Sequence, residues 1–152
     1  MIEETPSFCI GWQRRILGCT LALSMASASI ADEYEDGLIA YKQGRYEKAI
    51  ELFMHSAEQG NAKAQHLLGT MYRAGLGTEP DEYKGFEWCQ RAAKDGLLEA
   101  QFQLGLMYFD GDGVTQNDDK AMEWIWLAAD RGYPQATEVL QYILANDFGM
   151  GC

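Results

Sequence analysis

Residues 64–96 read AQHLLGTMYRAGLGTEPDEYKGFEWCQRAAKDG, and residues 100–132 read AQFQLGLMYFDGDGVTQNDDKAMEWIWLAADRG. Laid over each other at an offset of 36, they match at many places. Ala64-Gln65 returns as Ala100-Gln101, Leu68-Gly69 as Leu104-Gly105 and Met71-Tyr72 as Met107-Tyr108. Gly75-x-Gly77 returns as Gly111-x-Gly113, Lys84 as Lys120, Trp88 as Trp124 and Ala92-Ala93 as Ala128-Ala129. Ala64 recurs a third time as Ala136, and Gly60, Gly96 and Gly132 stand at equal intervals. Self-similarity at a fixed period of this length marks a stack of similar supersecondary units.

Each unit reads as two helices. Ala64, Leu68 and Tyr72 fall on one face of a first helix. The Gly-x-Gly that follows ends it and turns the chain. Ala121, Trp124 and Ala128, widened by Ile125 and Ala129, give the apolar face of a second helix, which Gly132 stops. Small residues at Ala64, Gly69, Ala92 and Ala93 let the helices approach closely, and Trp and Tyr side chains fill what remains. One such pair cannot bury its apolar face alone, so pairs must stack.

This pattern resembles the Sel1-like repeat family, whose signature reads Ala-x-x-x-Leu-Gly-x-x-Tyr, a Gly-x-Gly turn, Lys-Ala-x-x-Trp and Ala-Ala-x-x-Gly. The first copy departs from the second at Gly85 (Ala121) and at Thr78 (Val114). Residues 37–60 are similar to the related tetratricopeptide repeat, with Gly37, Tyr41, Gly44-Arg45-Tyr46, Ala49, Phe53 and Ala57 at its usual places and a shorter turn. Residues 133–146 (Ala136, Leu140, Leu144) read as a lone further first helix. The resemblance implies an all-α fold, a short right-handed α-solenoid of antiparallel helix pairs.

The N-terminus differs in kind. Arg14-Arg15 precedes an apolar run from Ile16 to Met25, then Ala26-Ser27-Ala28-Ser29-Ile30-Ala31, then the acidic Asp32-Glu33-Tyr34-Glu35-Asp36. This is the layout of a secretory signal peptide, with cleavage after Ala28 or Ala31, the second expected, and periplasmic or secreted localisation. The apolar run is too short for a stable membrane anchor. The expected organisation is a signal peptide over 1–31, a tetratricopeptide-like helix pair over 32–60, Sel1-like repeats over 61–96 and 97–132, and a terminal helix and tail over 133–152. Cys9 and Cys19 leave with the signal, while Cys89 and Cys152 remain, either paired or as separate thiols.

The net charge of −11 argues against binding nucleic acid or anionic lipid and is compatible with a basic partner. No catalytic constellation is present. His55 and His66 form no metal-ligand spacing, and neither a GxSxG nor a P-loop occurs. The acidic stretch from Asp110 fails as a calcium loop, because Val114 and Ala121 occupy ligand positions. Asp81-Glu82 and Asp118-Asp119 sit where acids favour a helix N-terminus. No enzymatic activity, cofactor or metal is expected.

The resemblance implies a concave groove, lined by first helices, that holds a protein partner. The positions projected into it are Tyr41, Lys63, His66 and Arg73, then Phe102 and Phe109, then Glu138 and Tyr142, with Lys42, Thr70, Glu99, Gln103 and Leu106 beside them. Aromatic residues are over-represented among binding hot spots. Trp126, where the previous unit has Gln90, is either an exposed anchor or, the expected reading, packed on the terminal helix. Val139, Leu140, Tyr142, Ile143 and Leu144 form an open end, to be covered by the tail, a partner or a second copy. The leading functional expectation is a non-enzymatic adaptor of the cell envelope. A periplasmic immunity protein that neutralises an antibacterial effector is the alternative. A cell-wall or β-lactam-binding enzyme is disfavoured, because the relatives it would resemble carry paired cysteines within each repeat.

Overall fold

The computed structural model describes residues 33–147, and every regular element among them is an α-helix. Helix α1 covers 33–42. It is followed by α2 (Tyr46–Glu58), α3 (Ala62–Ala74), α4 (Glu82–Lys94), α5 (Leu98–Asp110), α6 (Asp118–Asp130) and α7 (Pro134–Asp147). From α3 onward each helix packs on the one before it, which is the contact pattern of a solenoid. The segment read as a signal peptide lies outside the described residues.

The helix ends are built from the signature residues. Gly75 and Gly111 close α3 and α5 in the left-handed conformation, at φ 66° and 79°. Asp81 and Asn117 cap α4 and α6, each accepting a hydrogen bond from a backbone N–H at 2.9 Å, of Lys84 and Lys120. Asp118 and Asp119 lie inside the first turn of α6, where their charge complements the helix dipole. Asn61 caps α3 by accepting from Lys63 and Ala64, whereas α5 begins at Leu97 with no side-chain cap.

Recurrent contacts explain other signature positions. The ammonium of Lys84 sits 5.6 Å from the ring centroid of Tyr72, and that of Lys120 sits 5.3 Å from Tyr108. The recurring spacing of Lys and Tyr within the repeat thus joins the two helices of one pair. Gln65 Nε2 donates to the Ala57 carbonyl at 3.2 Å, and Gln101 Nε2 donates to Ala93 at 3.1 Å. Both glutamines are buried. Each ties a first helix to the C-terminal end of the preceding second helix, adding a side-chain hydrogen bond to a carbonyl that also accepts from the backbone N–H of Gly60 or Gly96.

The core is segmented along the stack. Phe53, Leu68 and Met71 centre a cluster spanning α1 to α3. Leu104, Met107 and Phe86 centre one spanning α4 to α6, where Phe86 and Tyr108 meet edge to face at 5.4 Å. Ile125, Ala128, Ala136 and Leu140 join α6 to α7. Leu140, read from sequence as part of the open end, is therefore buried, while Tyr142 and Leu144 remain exposed. The tail from 148 lies outside the described residues.

Candidate protein-binding groove

Register places the outward positions of the first helices in rows. Lys63 on α3 aligns with Glu99 on α5, His66 with Phe102 and Glu138, Thr70 with Leu106 and Tyr142, and Arg73 with Phe109. The structure brings the first of these rows together. A depression of about 300 Å³ is lined by Tyr34 and Leu38 of α1, by Lys63, His66 and Leu67 of α3, and by Leu97 and Glu99 at the start of α5. Three successive first helices thus share one surface. Tyr34, Leu38, Leu67 and Leu97 were not among the projected residues. The first unit has a shorter turn, so no fixed offset carries α3 positions onto α1.

The remaining projected residues have varied surroundings. Tyr41 packs edge to face on Tyr46 at 5.5 Å and is half-buried. Phe102 packs on Tyr133 at 5.5 Å beside the α6–α7 core, so it is chiefly a packing residue. Phe109 and Tyr142 are 54% and 70% exposed, and Glu138 is exposed. These three, with Lys63, are free to meet a partner.

Arg73 is engaged within the chain. Its guanidinium donates to Asp112 Oδ2 at 2.6 Å, reaching from α3 to the turn of the next repeat. Its stem lies over α4 at Gly85, where an added Cβ would collide with Arg73 Cγ. Gly85, the departure from the repeat pattern, is therefore the space that Arg73 occupies. In the second copy the counterparts are Phe109, more than half exposed, and Ala121.

Burial lowers the pKa of His66, with Arg73 acting in the same direction and Glu99 opposing. The fold therefore favours neutral imidazole. Above the ordinary histidine range this costs nothing. As pH falls through about 6.5 the unfolded chain takes up a proton that the fold resists, and stability declines. Denaturant unfolding should show a smaller loss between pH 8 and pH 5.5 for His66→Gln than for the parent. An identical loss in both would remove His66 as a source.

Cys89 is buried, its thiol donates to the Ala100 carbonyl at 3.5 Å, and burial pushes its pKa up to about 12. It is a packing residue with little thiolate character. Cys152, the partner considered for it, lies outside the described residues. Trp126, for which packing on α7 was expected, is instead 61% exposed. Helix α7 meets α6 through Ile125 and Ala128, which lie on the other side of that helix from Trp126.

The chain belongs to the Sel1 repeat family, which it matches three times, at residues 24–61, 62–97 and 98–133. The first match takes in the pair that reads as tetratricopeptide-like. Among solved structures it is similar to a Sel1 repeat protein from Oxalobacter formigenes (33% identity, TM-score 0.71), covering 75% of this chain and 47% of that one. It is also similar to a protective antigen of uropathogenic Escherichia coli with the same repeat fold (31% identity, TM-score 0.73), covering 80% of this chain and 27% of that one. Helicobacter pylori cysteine rich protein B shares the fold at 19% identity and TM-score 0.65, covering 78% of this chain and 94% of that one. A curated relative, an exopolysaccharide production negative regulator from Rhizobium leguminosarum bv. viciae, is 34% identical over 56 residues. Those residues are 37% of this chain and 21% of the relative, so the chain matches about a fifth of that protein's length. Family and fold together define a protein-interaction scaffold. No helix among the described residues is long and apolar enough to cross a membrane.

Proposed function

We propose that this chain is an exported, non-enzymatic adaptor that holds a segment of a protein partner along its first-helix surface. The observation that carries this reading is the depression shared by α1, α3 and α5, with Phe109 and Tyr142 exposed on the same helix series. Exposed aromatic side chains can be covered by a partner with little loss of conformational freedom. Lys63 and Glu99 at the depression offer one charge of each sign, which suits a segment bearing both. Export to the periplasm rests on the basic, apolar and small-residue order of residues 14–31. A role in regulation, which the Rhizobium relative has in exopolysaccharide production, would need no chemistry from the chain.

A photo-crosslinking residue at Thr70, which is exposed between the depression and Tyr142, tests the groove. In the periplasmic fraction the mature chain, beginning at Asp32, is expected to form one discrete crosslinked product. Phe109→Ala combined with Tyr142→Ala should reduce that product at least tenfold without changing helical content. Undiminished crosslinking in the double variant would place the partner elsewhere.

A further inference from the structure

The back of α6 departs from its sister helices in a way that the fold does not require. Asp119, Glu123, Trp126 and Asp130 follow one another at spacings of four, three and four, a single helix face. That face lies opposite the buried Ala121, Ile125 and Ala128. Met122 flanks it on one side and Leu127, 39% exposed, on the other, and together these residues border one open surface hollow of about 810 Å³. On α4 the equivalent positions hold Tyr83, Glu87, Gln90 and Lys94, with Arg91 where α6 has Leu127. Four outward changes, Tyr83 to Asp119, Gln90 to Trp126, Arg91 to Leu127 and Lys94 to Asp130, move the exposed aromatic from the start of the face to its middle and replace the basic residues by an apolar and an acidic one. Trp126, Leu127 and Asp130 belong to none of the buried clusters, so the packing of α6 on α5 and α7 does not explain the difference.

None of Asp119, Glu123 and Asp130 forms an ion pair with another described residue. An exposed tryptophan beside an exposed leucine, rimmed by three unpaired carboxylates, has the composition of an interface: apolar centre, charged rim. We infer that the back of α6 is a second docking surface, on the opposite side of the array from the groove, for a basic amphipathic helix of another protein. The apolar stripe of such a helix would cover Trp126 and Leu127, and its flanking lysines or arginines would face Asp119, Glu123 and Asp130. The carboxylates select against acidic helices by like-charge repulsion.

The probe is a synthetic amphipathic helix with a leucine stripe flanked by lysines, titrated into the full chain, with the same helix carrying glutamates for lysines as its counterpart. The variant Trp126→Gln, Leu127→Arg, Asp130→Lys installs the residues that α4 already carries, so the fold tolerates them. It should weaken binding of the lysine helix at least tenfold with helical content and Tm retained. A control raising net charge equally elsewhere, Glu58→Lys with Thr78→Lys, should weaken it less than threefold. The glutamate helix should not bind.

Equal losses in variant and control would reduce the effect to bulk charge and overturn the proposal. So would unchanged binding in the variant. A gain in affinity on removing residues 148–152 would assign the face to the chain's own tail, and a change of oligomeric state in the variant would assign it to a second copy. Either result overturns the choice of occupant. The test touches no groove residue, so its failure and that of the groove reading are separable.

Discussion

Gly113→Ala is expected to destabilise the array by about 3 kcal/mol and lower its Tm by about 10 °C. Two costs add. Gly113 has φ 69°, and a left-handed conformation costs an L-residue roughly 1–2 kcal/mol. The second cost is steric. A Cβ at this position would stand 3.0 Å from the backbone nitrogen of Tyr83 and still closer to the Glu82 carbonyl, at the start of α4. Backbone cannot rotate aside as a side chain can, so the turn must lift off the preceding repeat, an overpacking cost of roughly 1–3 kcal/mol. Gly132→Ala separates the two terms. Gly132 has φ 88° but nothing within 4 Å of an added Cβ, so its substitution should show the conformational cost alone, about 1 kcal/mol. Equal Tm shifts for the two variants would mean that the close approach of turn to helix contributes nothing. Gly77 meets Tyr46 and Glu47 at the start of α2 in the same way, which makes this contact a property of the repeat.

Much of this stacking was legible because two copies of one unit could be compared. Gly75, Gly111, Tyr72, Lys84 and Gln65 recur in register, and each recurrence corresponds to one repeated contact. Departures were less legible. The offset displays Arg73 against Phe109, Gly85 against Ala121 and Leu76 against Asp112 as three separate differences. In the structure they are one unit, an arginine whose stem lies over a glycine and whose guanidinium is bonded to a carboxylate in the next turn. Sequence comparison ranks positions by sameness and does not say which differences touch. Trp126 illustrates the same gap. Its difference from Gln90 was visible, but the side of α6 left exposed depends on where α7 packs, which the offset between copies does not show. The contribution of α1 to the depression was hidden for a related reason, since the shorter first turn removes the offset.

Phe53→Ala should remove about 3–5 kcal/mol, and the loss should be confined to one end of the array. Phe53 is wholly buried, and its ring lies against Gly37, where an added Cβ would stand 2.7 Å from it, and near Tyr34 at 5.9 Å between centroids. Truncation leaves a cavity between α1 and α2 that two short helices cannot close without losing their joint contact with α3. In a compact single-core domain that deficit would be shared by every element. Here the buried clusters are distributed along the stack, and the α4–α6 cluster contains no residue of α1 or α2. Stability in such an array is approximately a sum of unit and neighbour terms. Hydrogen exchange in Phe53→Ala should therefore show amides of α1 and α2 losing most of their protection while those of α5 and α6 keep theirs. Uniform loss from α1 to α6 would show that the neighbour terms exceed the unit terms and that the repeats unfold as one. That outcome would also couple the two proposed surfaces, because the start of the depression on α1 and the back of α6 would then share a single unfolding equilibrium. With local unfolding, they are independent, and a partner held at one end leaves the affinity at the other unchanged.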